Sequence, residues 1–126
     1  MSDCPCGSSV SLEDCCGPYL SGTSKAPTAE ALMRSRYTAY ATGATDYVVA
    51  THDPKKRISS LREQVEKWAR GAQFTSLEVR STDGGGPGDS LGEVEFVATY
   101  LEDGKTHTLR EISTFRKIKG AWFYVG

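Results

Sequence analysis

Beyond position 16 this 126-residue chain has no cysteine at all. Disulfides that staple a domain are spread along it, so the body of the protein is not a disulfide framework. Histidine is scarce: His52 and His107 are the only imidazoles, and both read as loop or surface residues. A basic excess is missing, with 15 Lys and Arg against 16 Asp and Glu and a net charge of −1. That balance argues against nucleic acid as a partner, because a phosphate-backbone binder needs clustered cations. No segment approaches the roughly 20 apolar residues that span a bilayer, which argues against a membrane partner. The start, Met1-Ser2-Asp3-Cys4, lacks the basic and apolar regions of a signal peptide. A cytoplasmic location is therefore expected, where reducing conditions keep thiols free.

What the chain does have is four cysteines packed into its first sixteen residues. Cys4 and Cys6 flank Pro5, eight residues follow, and Cys15 and Cys16 are adjacent. Two close pairs separated by a short loop suit a tetrahedral zinc ion, which takes four thiolates. Gly7 and Gly17 give the backbone freedom to turn neighbouring cysteines towards one ion. Four cysteines fill the tetrahedron and leave no position for water, so the expected cofactor is one structural Zn²⁺ held by Cys4, Cys6, Cys15 and Cys16. Residues 1–22 have little core of their own, and Ser21 to Pro27 reads as a linker. Chelation is accordingly expected to disorder the chain up to about Tyr19 and leave the rest folded.

The remainder, 28–126, changes period part-way. Thr28 suits a helix cap, with Glu30 in the first turn. Met33, Tyr37, Tyr40 and Ala44 recur at helical spacing, and Gly43 sits at a stop. A short helix over Thr45–Thr51 is closed by Pro54. Ser60 and Glu63 fit a capping box for a third helix with Leu61, Val65 and Trp68 on one face. Four strands follow: Phe74–Ser81, a run in which Val94, Phe96, Ala98 and Tyr100 alternate with Glu93, Glu95, Val97 and Thr99, then Thr106–Ile118 and Ala121–Val125. Asp103-Gly104 and Lys119-Gly120 are turns. The Gly84–Gly88 loop lacks the Lys-Ser/Thr ending of a phosphate cradle and is another turn. The fold class is α+β: three helices packed on a curled antiparallel four-stranded sheet.

Such a sheet can enclose a cavity. The candidate lining is Arg36, Tyr37, Tyr40, Tyr47, Trp68, Phe96, Tyr100 and Glu111. Arg34 and Arg36 fall on different sides of the first helix. One is expected in solvent and the other inward, against an acid such as Glu111. Glu111 alternates with Leu109, Ser113 and Phe115, and buried on the covered face it would need a partner and be the best general-base candidate. No carboxylate pair and no nucleophile–histidine–acid set is readable, so no catalytic residue is assigned and the reading leans away from an enzyme.

Cys4-Pro-Cys-Gly-Ser with Cys15-Cys-Gly-Pro-Tyr-Leu resembles the SEC-C motif, the zinc-binding tail of the SecA translocase motor. The string from Ala26 to Tyr40, with Asp46-Tyr47, Gly84-Gly-Gly-Pro-Gly-Asp, Val94-Glu-Phe-Val-Ala and Trp122-Phe-Tyr-Val, resembles the YchJ-like bacterial proteins. The resemblance covers essentially the whole chain. It implies a SEC-C zinc motif at 1–22 and a SnoaL-like cone domain, of the nuclear-transport-factor-two type, at 28–126. It implies no reaction. The SecA loop is lysine-rich, whereas Gly7–Asp14 here carries two acids and no base, so complementarity to an acidic chaperone is missing. Many relatives have Trp-His-Pro before the third helix, where this chain has His52-Asp53-Pro54. The expected role is a protein-interaction module with a protein partner presented to its zinc knuckle. The alternative is a small-molecule binder or enzyme using the cone cavity.

Overall fold

The computed structural model describes residues 3–126. A 3-10 turn at Leu12–Asp14 and α1 (Gly17–Leu20) belong to the cysteine segment. They are followed by α2 (Ala29–Thr42), α3 (Thr45–Ala50), a 3-10 turn at Pro54–Lys56 and α4 (Leu61–Gly71). Four strands complete the chain: β1 (Gln73–Gly84), β2 (Leu91–Glu102), β3 (Lys105–Ile118) and β4 (Ala121–Tyr124). They form one antiparallel sheet in the order β1-β2-β3-β4. This is the α+β cone expected from the order of elements, with α2, α3 and α4 as the three helices. The four-residue α1 escaped the periodicity reading because it is shorter than one apolar repeat; Pro18 in its first turn starts it.

Local chemistry explains most boundaries. The Thr28 side chain accepts from Ala31 N at 3.0 Å, and Gly43 ends α2 in the left-handed region at φ 79°. That stop leaves Ala44 outside α2, at the entrance to α3. The capping box at Ser60 does not form. Ser60 makes no cap bond to the backbone, and its Oγ instead accepts from Gln64 Nε2 at 3.0 Å. Asp103 and Gly104 both have positive φ, as a two-residue hairpin turn demands. Strand β1 runs to Gly84, three residues past its expected end. Register shifts at Phe74/Ser76 and Val79/Ser81 mark bulges, which add local bend and twist.

Val94, Phe96 and Ala98 of β2 and Phe115 of β3 are buried against α2, while Glu93 points out. Helix α2 is covered on nearly every side: Leu32, Met33, Ser35, Arg36, Tyr37, Thr38 and Ala39 are all buried. One face meets the sheet. The other joins Val48 of α3 and Val65 of α4 through Ala39. At the start of α2 the glycine loop makes a close approach. A Cβ at Gly92 would lie 2.5 Å from Gly85 Cα, and Ala29 N donates to Gly85 O at 2.9 Å. The loop is a docking turn for the helix, in line with its reading as a turn.

Residues 51–53 are laid beside β4. Tyr124 N donates to Thr51 O and Asp53 N donates to Tyr124 O, both at 2.8 Å. The Asp53 side chain is buried, 2% exposed, and receives Arg116 through both Nε and Nη2, the latter at 2.9 Å. Lys55 N donates to its Oδ1 at 2.9 Å. The Arg116 guanidinium beside it holds the Asp53 carboxyl down at about 2, below its ordinary 3.8. A depressed carboxylate pKa stabilises the fold above the unfolded value and loses that effect as pH falls through the folded one. The wild-type melting temperature should therefore drop between about pH 4 and about pH 2. An Asp53→Asn variant should melt lower at neutral pH and show a flatter acid limb. Equal acid slopes in the two proteins would show that this ion pair does not link stability to pH.

Candidate functional site

The cysteine segment closes on itself. Cys4 N donates to Val10 O at 2.7 Å, Gly7 N to Cys4 O at 3.2 Å, and Asp3 bridges to Ser11. Gly7 takes φ 83°, which turns the chain between Cys6 and Ser8. Cys15 follows the 3-10 turn, and Cys16 caps α1. Gly17 is packed so tightly that a Cβ there would stand 2.7 Å from Leu12 O.

The result brings all four Sγ atoms within 4.8 Å of one another. Cys6 and Cys15 are 3.6 Å apart and Cys15 and Cys16 3.9 Å. A tetrahedron with metal–sulfur bonds of about 2.3 Å has sulfur–sulfur edges of about 3.8 Å. A disulfide would need about 2.05 Å. The spacing therefore fits four thiolates around one metal ion, and the cluster can hold one. Cys4, Cys6 and Cys16 are at most 3% exposed, and Cys15 is half-buried.

Protonation is uneven within the cluster. The hydrogen bond from Cys16 holds the Cys6 thiol down at about 4, and the same bond pushes Cys16 up. Burial raises Cys15, with Ser8 Oγ 3.1 Å from its sulfur acting against that. Metal entry releases protons from the thiols that become its ligands.

The knuckle docks on the cone domain. Arg34 Nη1 donates to Cys6 O at 2.8 Å and Arg34 Nε to Glu30 at 2.9 Å. Arg34 is thus half-buried and occupied, not free in solvent. Cys4 Sγ lies 3.5 Å from Thr38 Oγ1. Cys4, Cys6 and Cys16 share one apolar cluster with Met33, Tyr37 and Leu77. The cysteine segment and the core share this apolar cluster, because α2 offers the cysteines an apolar, hydrogen-bonding wall.

A second feature is a cavity of about 90 Å³ between α2, α4 and the sheet. Arg36, Tyr37, Tyr40, Trp68, Phe96 and Glu111 line it, as the sequence grouped them. Tyr100 does not. It caps the far end of an edge-to-face chain in which Trp68 meets Tyr40 at 4.9 Å, Phe74 at 5.2 Å and Tyr100 at 5.8 Å. His107 stacks on Tyr100 at 5.3 Å. Tyr47 lies elsewhere, its hydroxyl 2.7 Å from Ser35 Oγ. The sequence reading missed Phe74 and Tyr124: Tyr124 alternates in step with the buried Trp122 along β4, whereas Phe74 shares the face of Leu77 only through the register shift at Phe74/Ser76, which simple alternation does not predict. His52 sits edge-on to Tyr124 at 5.5 Å.

Arg36 turns inward as one arginine should, but Glu111 is not its partner. Its Nη1 donates to Val48 O and Thr51 Oγ1, each at 2.8 Å, and its guanidinium carbon lies 4.4 Å from the centre of the Tyr124 ring. Glu111 accepts from Ser113 Oγ at 3.0 Å. The helix and strand registers place the two charges at different walls.

Residues 28–126 match the family model described as YchJ, middle NTF2-like domain. The chain belongs to the YchJ-like family. Its UPF0225 relatives include a Geobacter sulfurreducens protein, 42% identical over 96% of this chain and 75% of the relative. Another, from Corynebacterium glutamicum, is 46% identical over 96% of this chain and 92% of the relative. The solution structure of a SEC-C motif containing protein from Rhodopseudomonas palustris is similar at TM-score 0.88 and 39% identity, covering 98% of this chain and 94% of that one. The crystal structure of a SEC-C motif containing protein from Psychrobacter arcticus gives 0.81 and 28%, covering 98% and 80%. This YchJ-like chain joins a SEC-C cysteine motif to an NTF2-like cone. No helix among its described residues is long and apolar enough to cross a membrane.

Proposed function

We propose that this chain is a cytoplasmic protein-interaction module whose zinc knuckle serves as a rigid presenting element. The observation that carries the reading is the closed set of four sulfurs within 4.8 Å. Four thiolates satisfy a tetrahedral Zn²⁺ and leave it no open position, so the ion supplies rigidity and not Lewis acidity towards a substrate. Cys4, Cys6, Cys15 and Cys16 would hold it. Arg34 and Thr38 fix the knuckle to α2 from behind.

What the knuckle displays is the loop between its cysteine pairs. Val10 is 43% exposed at the tip, and Glu13 and Asp14 are exposed beside it. An apolar tip flanked by two carboxylates suits a partner surface with an apolar recess and basic rim.

Protein purified without chelator should contain one zinc per chain by elemental analysis, released on mild acidification as the thiolates take up protons. A metal content near zero with four freely titrating thiols would sink the zinc reading. For the interaction, a Val10→Ser, Glu13→Lys, Asp14→Lys variant keeps all four ligands. It should retain zinc and lose the proteins that cross-link to wild type in cells. Unchanged cross-links from that variant would place the interaction elsewhere.

A further inference from the structure

Among the described residues, Arg36 is a buried charge with no opposite charge in contact. It is 5% exposed, and no carboxylate lies within 4.0 Å of it among the described residues. The surrounding interior costs a buried cation several kcal/mol unless an anion or dense hydrogen bonding offsets it. Burial indeed pushes its pKa down, helped back only by nearby tyrosines. The compensation on hand is one carbonyl, one hydroxyl and one ring face, and all the hydrogen bonds come from Nη1. Nε and Nη2 donate to no acceptor among the described residues. No sealed side-chain nitrogen or oxygen lacks a partner there, so these two nitrogens keep accessible surface, and Arg36 is a lining residue of the cavity. Nε and Nη2 form one edge of the guanidinium fork, the edge that grips a carboxylate with two parallel bonds.

The rest of the cavity narrows the ligand. Its walls are apolar and aromatic, including Tyr40, Phe74 and Tyr124. At about 90 Å³ the cavity suits a small acid and not an extended ligand. Glu111 also lines it and is engaged only through Oε2, by Ser113. Its Oε1 is free to accept from a ligand, and its charge opposes a second anionic group. Burial raises the Tyr124 pKa, with Glu111 raising it further and Arg36 lowering it, so both charges act on its hydroxyl.

We propose that the cone cavity is a binding site for a small monocarboxylate bearing a hydroxyl or ammonium donor, with Arg36 holding the carboxylate and Glu111 accepting from the donor. Inorganic phosphate is excluded by the same features, because its second charge faces Glu111 and it offers nothing to the aromatic walls. A ligand this small binds in the millimolar range.

The test is an NMR titration of the zinc-loaded protein with lactate, propionate and inorganic phosphate, following the Trp68 indole and the Tyr40 and Tyr124 rings. Lactate should shift these signals saturably, propionate more weakly, and phosphate not at all. Arg36→Gln should weaken lactate roughly thirtyfold or more, the loss expected when one member of a buried charge pair is removed. Its melting temperature should hold or rise, since the uncompensated charge is gone. Glu111→Gln should preserve carboxylate binding and shrink the preference for lactate over propionate. Should Arg36→Gln fail to fold, contacts between the lactate methyl and the Tyr40, Phe74 or Tyr124 rings in wild type decide the matter, and their absence overturns the site. Lack of saturation with either acid, retention of lactate by a folded Arg36→Gln, or phosphate binding as well as lactate would each overturn the proposal.

Discussion

On the proposed zinc reading, removing the ion from the knuckle should lower the melting temperature of the whole chain, by more than about 10 °C. Cys6 is 0% exposed, and Cys4 and Cys16 are almost as deeply buried, within the cluster that contains Met33, Tyr37, Leu77 and Phe96. With the ion gone, four sulfurs lose the charge that draws them together, and their thiols must find room as separate groups. Structural zinc contributes about 10–16 kcal/mol in small zinc domains, which matches or exceeds the total stability of about 5–15 kcal/mol typical of a domain. Part of that is spent folding the knuckle itself. The remainder reaches α2 through Arg34 on the Cys6 carbonyl and Thr38 beside Cys4. Chelation at neutral pH, or Cys6→Ser, should therefore shift the Trp122 indole and the Tyr37 and Phe74 ring signals along with the amides of residues 3–20. The composition of the first 22 residues suggests a different outcome, in which only the amides up to about Tyr19 change. Trp122 signals and a melting temperature untouched by chelation would favour that reading and show that the shared cluster transmits nothing.

Phe115→Ala should cost about 3–5 kcal/mol, the usual range for emptying a fully buried phenylalanine site. Phe115 is 0% exposed. Its backbone pairs with Gly92 of β2 on one side and Tyr124 of β4 on the other, and its ring meets Tyr124 edge-on at 5.7 Å. Tyr124 in turn carries the Arg36 guanidinium and the Thr51–Asp53 segment. Glycine at 92 brings no side chain to fill the void, so the site cannot collapse cheaply. Ile112, three residues earlier on the opposite face, is 59% exposed, and Ile112→Ala should change stability by less than about 0.5 kcal/mol. Denaturant melts of the two variants give the comparison. Similar losses in both would mean that the β3 faces are assigned the wrong way round.

The alternation along β3 and β2 was legible before any coordinates, because strand side chains switch faces every residue and nothing distant can change that. The same holds for the Thr28 cap, the Gly43 stop and the Asp103-Gly104 turn, each decided by atoms within a few residues of one another. Ser60 shows where this reasoning fails. Its sequence neighbours suit a capping box, but its Oγ was taken by Gln64 one turn on.

Within the candidate sites the division is similar. Cys4, Cys6, Cys15 and Cys16 lie within thirteen residues, so a short loop with glycines at 7 and 17 is enough to gather them, and the sequence alone points to one metal. The cavity lining followed in part, since Tyr37 and Tyr40 share a helical face and Phe96 an inward strand position. What pairs with what did not follow. Asp53 finds Arg116 across 63 positions, Arg34 finds the Cys6 carbonyl across 28, and Trp122 Nε1 donates to Pro27 O across 95. Arg36 meets a carbonyl, a hydroxyl and a ring in place of Glu111. Spacing and residue type thus determined the fold class, the four-cysteine cluster and the strand faces, because those depend on local geometry. Only the tertiary structure decided that the knuckle is built into the core and that Arg36 is left facing an open cavity, because both depend on the angle and depth at which α2 settles between sheet, helices and cysteines.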